Sequence, residues 1–209
     1  MPLATLVAIA LFAAFNYKPI QSAADAAAWV QGIGSLLAIT AAIWIYAKQC
    51  QNKKSDDNAE IRAFVEAIRE EVQAAWTSYC VEIHPALRAL PDGQHFKLIY
   101  PVSTEGFTIY NNSALMVGKV SDPELRRSII HTYALAKSLV YSFHMNNIML
   151  NEYRQLLLMY HQADREAVLT AHIDSLRIYA TKLKERDTWI SQAAESLQIR
   201  IDQWLAASR

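Results

Sequence analysis

Glycine and proline are scarce in this chain, five and six residues among 209. That shortage disfavours architectures built on frequent tight turns and predicts long, rarely interrupted helices. Cysteine is scarcer: Cys50 and Cys80 provide no disulfide framework. An excess of one charge sign is also missing, because twenty Lys and Arg balance twenty Asp and Glu. A neutral total leaves no electrostatic footprint for bulk nucleic-acid binding. The six histidines (His84, His95, His131, His144, His161 and His172) include no i, i+4 pair and meet no cysteine cluster. No metal site and no cofactor are therefore expected. There is no glycine-rich phosphate loop, and no strand–turn–helix pattern that would expose a nucleophile.

The most informative gap is a gap in charge. From Trp29 to Ala47 the chain reads WVQGIGSLLAITAAIWIYA, nineteen residues without an ionisable group of the Asp, Glu, Lys or Arg type. As a helix it would span roughly 28 Å, close to the hydrocarbon thickness of a bilayer. Trp29 stands at one end and Trp44 and Tyr46 at the other, where amphipathic rings favour the interface. Lys48 ends the run, since a lysine at bilayer depth costs about 2.5–3.5 kcal/mol. Residues 29–47 are thus predicted to cross a membrane, making the lipid bilayer the first partner.

A shorter apolar run, LATLVAIALFAAF, covers Leu3–Phe15. It is either a first transmembrane helix over residues 3–20, forming a hairpin with 29–47, or a signal peptide with small residues near Ser22–Ala26. No Lys or Arg precedes the run, which favours the hairpin. The loop between the runs carries Lys18 offset by Asp25, whereas Lys48, Lys53 and Lys54 follow the main span. The positive-inside rule then places residues 48 onward in the cytoplasm. Residues 1–50 form the anchor and 51–209 a cytosolic helical bundle. Within the span, Gly34, Ala38 and Ala42 fall four apart, a spacing that lets helices approach closely in lipid. This face serves either a homo-oligomer lining a pore or packing against Ala10 and Ala14 of the first run. Cys50 is read as a free thiol, with reversible acylation as the alternative.

Beyond the polar junction QNKKSDDN, the series Ile61, Phe64, Val65, Ile68, Val72, Trp76, Tyr79 and Ile83 recurs at three- and four-residue steps. It predicts an amphipathic helix ended by Pro85 and the Pro91-Asp92-Gly93 turn. Residues 94–120 read as a loop with a short helix near Phe107–Met116, stopped by Gly118. Ser121-Asp122-Pro123-Glu124 marks a helix start with Ser121 as the cap, and the helix is expected to run 35–40 residues. Asn146 and Asn147 interrupt its apolar face and suggest a register-fixing role. From about Asp164, Leu169, Leu176, Leu183, Ile190, Leu197 and Trp204 recur every seven residues. Such a 3.5-residue repeat is a packing seam, within the chain or against a second copy. Asp187 alone breaks the companion positions, and an unpaired Asp187 would make leucine welcome there. The fold class is therefore all-α: an N-terminal transmembrane helix or hairpin, then long antiparallel helices.

One pattern could carry chemistry. Arg126 and His131 have four residues between them, just inside a predicted helix start. This resembles the Arg–x4–6–His motif of HEPN ribonucleases, which implies His131 as general acid/base and Arg126 as phosphate stabiliser. Arg127 stands where that family usually has a polar residue. The other reading keeps Arg126 and Arg127 as solvated first-turn residues. More broadly, Trp29-Val-Gln-Gly-Ile-Gly-Ser35, Phe107-Thr-Ile-Tyr-Asn-Asn112 and Asp122-Pro-Glu-Leu-Arg-Arg127 resemble small bacterial membrane-anchored helical proteins. Some of these are similar to accessory proteins of anti-phage systems, including a group with a divergent HEPN-like bundle that accompanies RNA-targeting CRISPR effectors. That resemblance implies a defence or prophage context, homo-oligomerisation, membrane permeabilisation and a cytosolic or RNA-guided effector partner. The expectation is a non-enzymatic membrane effector or accessory protein. A membrane-tethered HEPN-like ribonuclease and a membrane scaffold for a cytosolic partner are the alternatives.

Overall fold

The structure, a computed structural model, describes residues 16, 22–101, 106–159 and 164–207. Apart from Asn16, the first apolar run at 3–20 lies outside the described residues. All secondary structure among those described is helical, as the shortage of turn residues requires. Six helices follow in order: α1 (Ala23–Glu82), α2 (His84–Arg88), α3 (Thr108–Asn112), α4 (Ala114–Lys119), α5 (Pro123–Met159) and α6 (Arg165–Ala207). The chain divides into two compact units, Met1–Asp57 and Asn58–Arg209, so α1 contributes residues to both.

Local chemistry sets the helix ends. At the start of α1, Ser22 Oγ accepts the Asp25 N–H at 3.2 Å and donates to Asp25 Oδ2 at 2.7 Å, a capping pair. α1 stops where Pro85 cannot donate the next helical hydrogen bond. Ile83 turns there at φ −121°, and the single-turn α2 follows. A tight turn closes with Gln94 N–H on the Pro91 carbonyl, and Gly93 sits at φ 76°, where a Cβ is disfavoured. The expected single helix near Phe107–Met116 is two short ones, and α4 passes through Gly118 to end at Lys119. The cap of α5 is Asp122 rather than Ser121. Asp122 Oδ1 accepts the N–H groups of Glu124 and Leu125, because Pro123 takes the first helical position.

Within the unit Asn58–Arg209, α5 and α6 run antiparallel. Thr132 bonds the Ala193 carbonyl, Ser142 meets Arg186, and His172 meets the Met149 carbonyl. The second stretch of α1 is antiparallel to α6 in turn, through Arg62 with Leu205, Arg69 with Asp202, and Tyr79 with Asp187. Between these helices lie two apolar clusters, one around Ile68, Ile129 and Ile201, the other around Tyr79, Phe143 and Leu183. Full burial of each such side chain contributes about 1.5–3 kcal/mol. Of the seven-residue repeat, Leu176, Leu183, Ile190 and Leu197 are buried; Leu169 and Trp204, at its ends, are half-buried.

Asn146 and Asn147 face the extended connector between α2 and α3. Asn146 Nδ2 donates to the Phe96 carbonyl, and Asn147 bonds both the N–H and the carbonyl of Tyr100. They satisfy backbone groups of Phe96 and Tyr100, which regular secondary structure does not pair there.

Candidate functional site

Gly34, Ala38 and Ala42 are exposed, as are the apolar residues around them, including Leu37 and Trp44. A Cβ placed on Gly34 would meet no atom within 4 Å. α1 is the one described helix long and apolar enough to cross a membrane.

Arg126 and His131 are not brought together. The Arg126 guanidinium donates to the Val120 carbonyl at 2.8 Å, closing the turn that leads into α5. His131 is exposed on α5. The two lie five positions apart on the helix, which turns them about 140° from each other around the axis. Arg127 is also exposed and pairs with Glu124 at 2.7 Å.

Two polar centres, one buried and one half-buried, were not read from the sequence. The first overturns the picture of Asp187 as an unpaired break in the seam. Asp187 is 1% exposed and is the hub of three elements. Its Oδ1 accepts the Tyr79 hydroxyl at 2.7 Å and meets His84 Nδ1 at 2.6 Å, and its Oδ2 accepts Arg88 Nε–H at 2.8 Å. α1, α2 and α6 are thereby tied at one carboxylate, whose burial is tolerable because it is paired. Burial, then the bond to Asp187, pushes the Tyr79 hydroxyl well above the usual tyrosine range, so it stays a proton donor. Burial, then the Asp187 charge, also raises the Cys80 thiol. Cys80 therefore lacks the depressed pKa of a reactive cysteine.

The second centre is Glu71 on α1. Its Oε1 accepts the Ile109 N–H at 2.7 Å, and its Oε2 accepts the Tyr110 N–H at 3.2 Å and the Tyr133 hydroxyl at 2.7 Å. α3 has no side-chain cap of its own, and Glu71 supplies one from a different helix. The clamp holds Phe107 in the left-handed region at φ 66°, a conformation that costs a non-glycine residue of order 1–3 kcal/mol. Its ring stands edge-on to Tyr133 at 5.3 Å, and Tyr110 stacks on the same ring at 4.0 Å. Burial, then Glu71, raises the Tyr133 hydroxyl as the Tyr79 hydroxyl is raised.

Beside this clamp lies a cavity of about 270 Å³. Its walls include Trp76 and Tyr79 of α1, Tyr100 and Phe107 of the connector, and Tyr133 and Phe143 of α5. Ala75 and Ser78 at its edge are exposed. Among the described residues no group of three His, Cys, Asp or Glu side chains is placed to hold a metal.

A lone charge inside an otherwise apolar heptad is a signal that could have pointed to Asp187. Glu71 had no such signal, because two of its three partners are backbone amides some forty residues away in sequence. Comparison with known protein families, curated proteins and solved structures gives no match for this chain.

Proposed function

We propose that this chain is a membrane-anchored effector or accessory protein that acts by assembling in the bilayer. The observation that carries this reading is the apolar stretch of α1: residues 29–47 hold no charge, and not one of them is buried. Such a surface is stable in lipid and costly in water. Gly34, Ala38 and Ala42 give it a face on which a second copy can approach closely. Lys48, Lys53 and Lys54 orient the helix with the bundle in the cytoplasm of a bacterial inner membrane. The α5–α6 bundle assembles or recruits, and clustered spans permeabilise the membrane in a defence setting. An RNA-guided or other cytosolic effector would be the partner that triggers it. The Arg126 guanidinium serves the α5 turn, which supports assembly over nuclease chemistry.

The test is dye release from vesicles containing the purified full chain, with RNA cleavage followed in parallel. Leakage should appear with the native chain and fall at least about tenfold when Gly34 and Ala38 are both leucine. Cleavage lost on His131→Ala, with leakage absent throughout, would replace this reading with the tethered ribonuclease.

A further inference from the structure

The cavity beside Glu71 has a chemical character that the membrane activity does not use. Six aromatic rings (Trp76, Tyr79, Tyr100, Phe107, Tyr133 and Phe143) line it. Among its described lining residues Glu71 is the one charged group, with no Lys, Arg or His beside it. No described residue forms an ion pair with Glu71: its three partners are two backbone amides and the Tyr133 hydroxyl. These donors fix the carboxylate in place but carry no full charge. A carboxylate offers about four acceptor positions, and the described residues fill three of them, leaving one on Oε1.

We propose that this cavity binds a small organic cation, an ammonium group carried on an apolar body. The faces of aromatic rings are negative and attract a cation, and they do so more strongly where water is excluded. Glu71 supplies the countercharge at one edge. An anion of the same size would meet that carboxylate with nothing to offset it. The volume of about 270 Å³ lies just below the usual range for ligand pockets, which sets the ligand as a small molecule rather than a peptide. The aromatic stack beside the cavity already attracts an ammonium. Lys137 Nζ lies 5.0 Å from the centre of the Tyr110 ring, and Tyr110 is stacked on Tyr133. Lys137 is outside the cavity and is held there by Asn111 Oδ1 at 2.7 Å. The strained Phe107 backbone fits the same purpose, since the Glu71 clamp that maintains it also completes the aromatic wall.

The experiment is isothermal titration of phenyltrimethylammonium into the full chain in dodecyl maltoside, with empty micelles as the blank and benzoate as the anionic counterpart. Saturable binding at one site per chain, with Kd of about 1 mM or tighter, is expected for the cation and none for benzoate. Glu71→Gln should weaken binding at least about tenfold, and Ala75→Trp, which places a large ring at the exposed rim and keeps the Glu71 carboxylate, should abolish it. Absence of saturable heat, equal binding of benzoate, or native affinity in a folded Glu71→Gln chain would each overturn the proposal. Should Glu71→Gln fail to fold, Ala75→Trp decides: unchanged binding in that variant rejects the cavity. The readout is independent of vesicle leakage, so the proposal stands or falls apart from the membrane reading.

Discussion

α1 contains two stretches that share a helical backbone and obey different rules. Between residues 29 and 47 no residue is buried and no side chain is charged. Between 58 and 82, Phe64, Val65, Ile68, Val72 and Tyr79 are buried while charged residues such as Glu70 and Arg69 face outward. Backbone propensity does not separate the two, since both are helical throughout. What separates them is the period of the side chains. An amphipathic period of 3.6 residues makes one face that needs protein and another that needs water. A stretch without a period has no water-facing side, and lipid is the solvent that suits it on every face.

The largest effect expected from breaking this contrast comes from placing one charge in each stretch. Ile68→Asp should destabilise the unit 58–207 by about 4 kcal/mol or more, because an unpaired carboxylate enters a fully buried site. Ile39→Arg should leave the thermal melting of that unit unchanged and cost about 2.5–3.5 kcal/mol of insertion. Circular dichroism melting and carbonate extraction of membranes read the two outcomes. Equal effects on melting would dissolve the distinction.

A smaller effect sharpens the account of the protein-facing side. Asp187→Leu should destabilise by about 1–3 kcal/mol, as it strands the Tyr79 hydroxyl and the His84 and Arg88 side chains. The loss stays moderate because Arg88 is half exposed and regains water. A gain in melting temperature would restore the picture of Asp187 as an unhelpful break in the seam.

The smallest effect is on pH. The Tyr79 and Tyr133 hydroxyls titrate above their ordinary value of about 10 in the folded chain. The folded state therefore holds these protons more tightly than the unfolded state. Their contribution is fully present below about pH 10 and is lost as pH rises further. Melting curves should fall above that pH, and Tyr133→Phe should flatten the fall. An unchanged alkaline slope in Tyr133→Phe would assign the loss to other groups.

Periodicity carried most of what was legible in the sequence. The seven-residue series places Leu176, Leu183, Ile190 and Leu197 in the core, and Pro123 fixes the start of α5. The polar centres were not legible, for two reasons. Glu71 satisfies the amides of Ile109 and Tyr110, and a backbone amide leaves no trace in residue type. Asp187 was visible as an irregularity, but its partners come from α1 and α2, and pairing at that distance is set by packing rather than by spacing. Asn146 and Asn147 were visible as breaks for the same reason, and they serve a connector instead of a helix register.

The most direct test of the two-solvent account is a single-cysteine scan from residue 30 to 82 in native membranes, read with a membrane-impermeant maleimide. Protection is expected from 30 to 46, broken only along the single face of Gly34, Ala38 and Ala42 where assembled spans open a path for water. Labelling from the cytoplasmic side should begin near Cys50 and recur every three to four residues from 58 onward. Labelling on every face of 30–46, or labelling of Cys50 from the outer side alone, would contradict it.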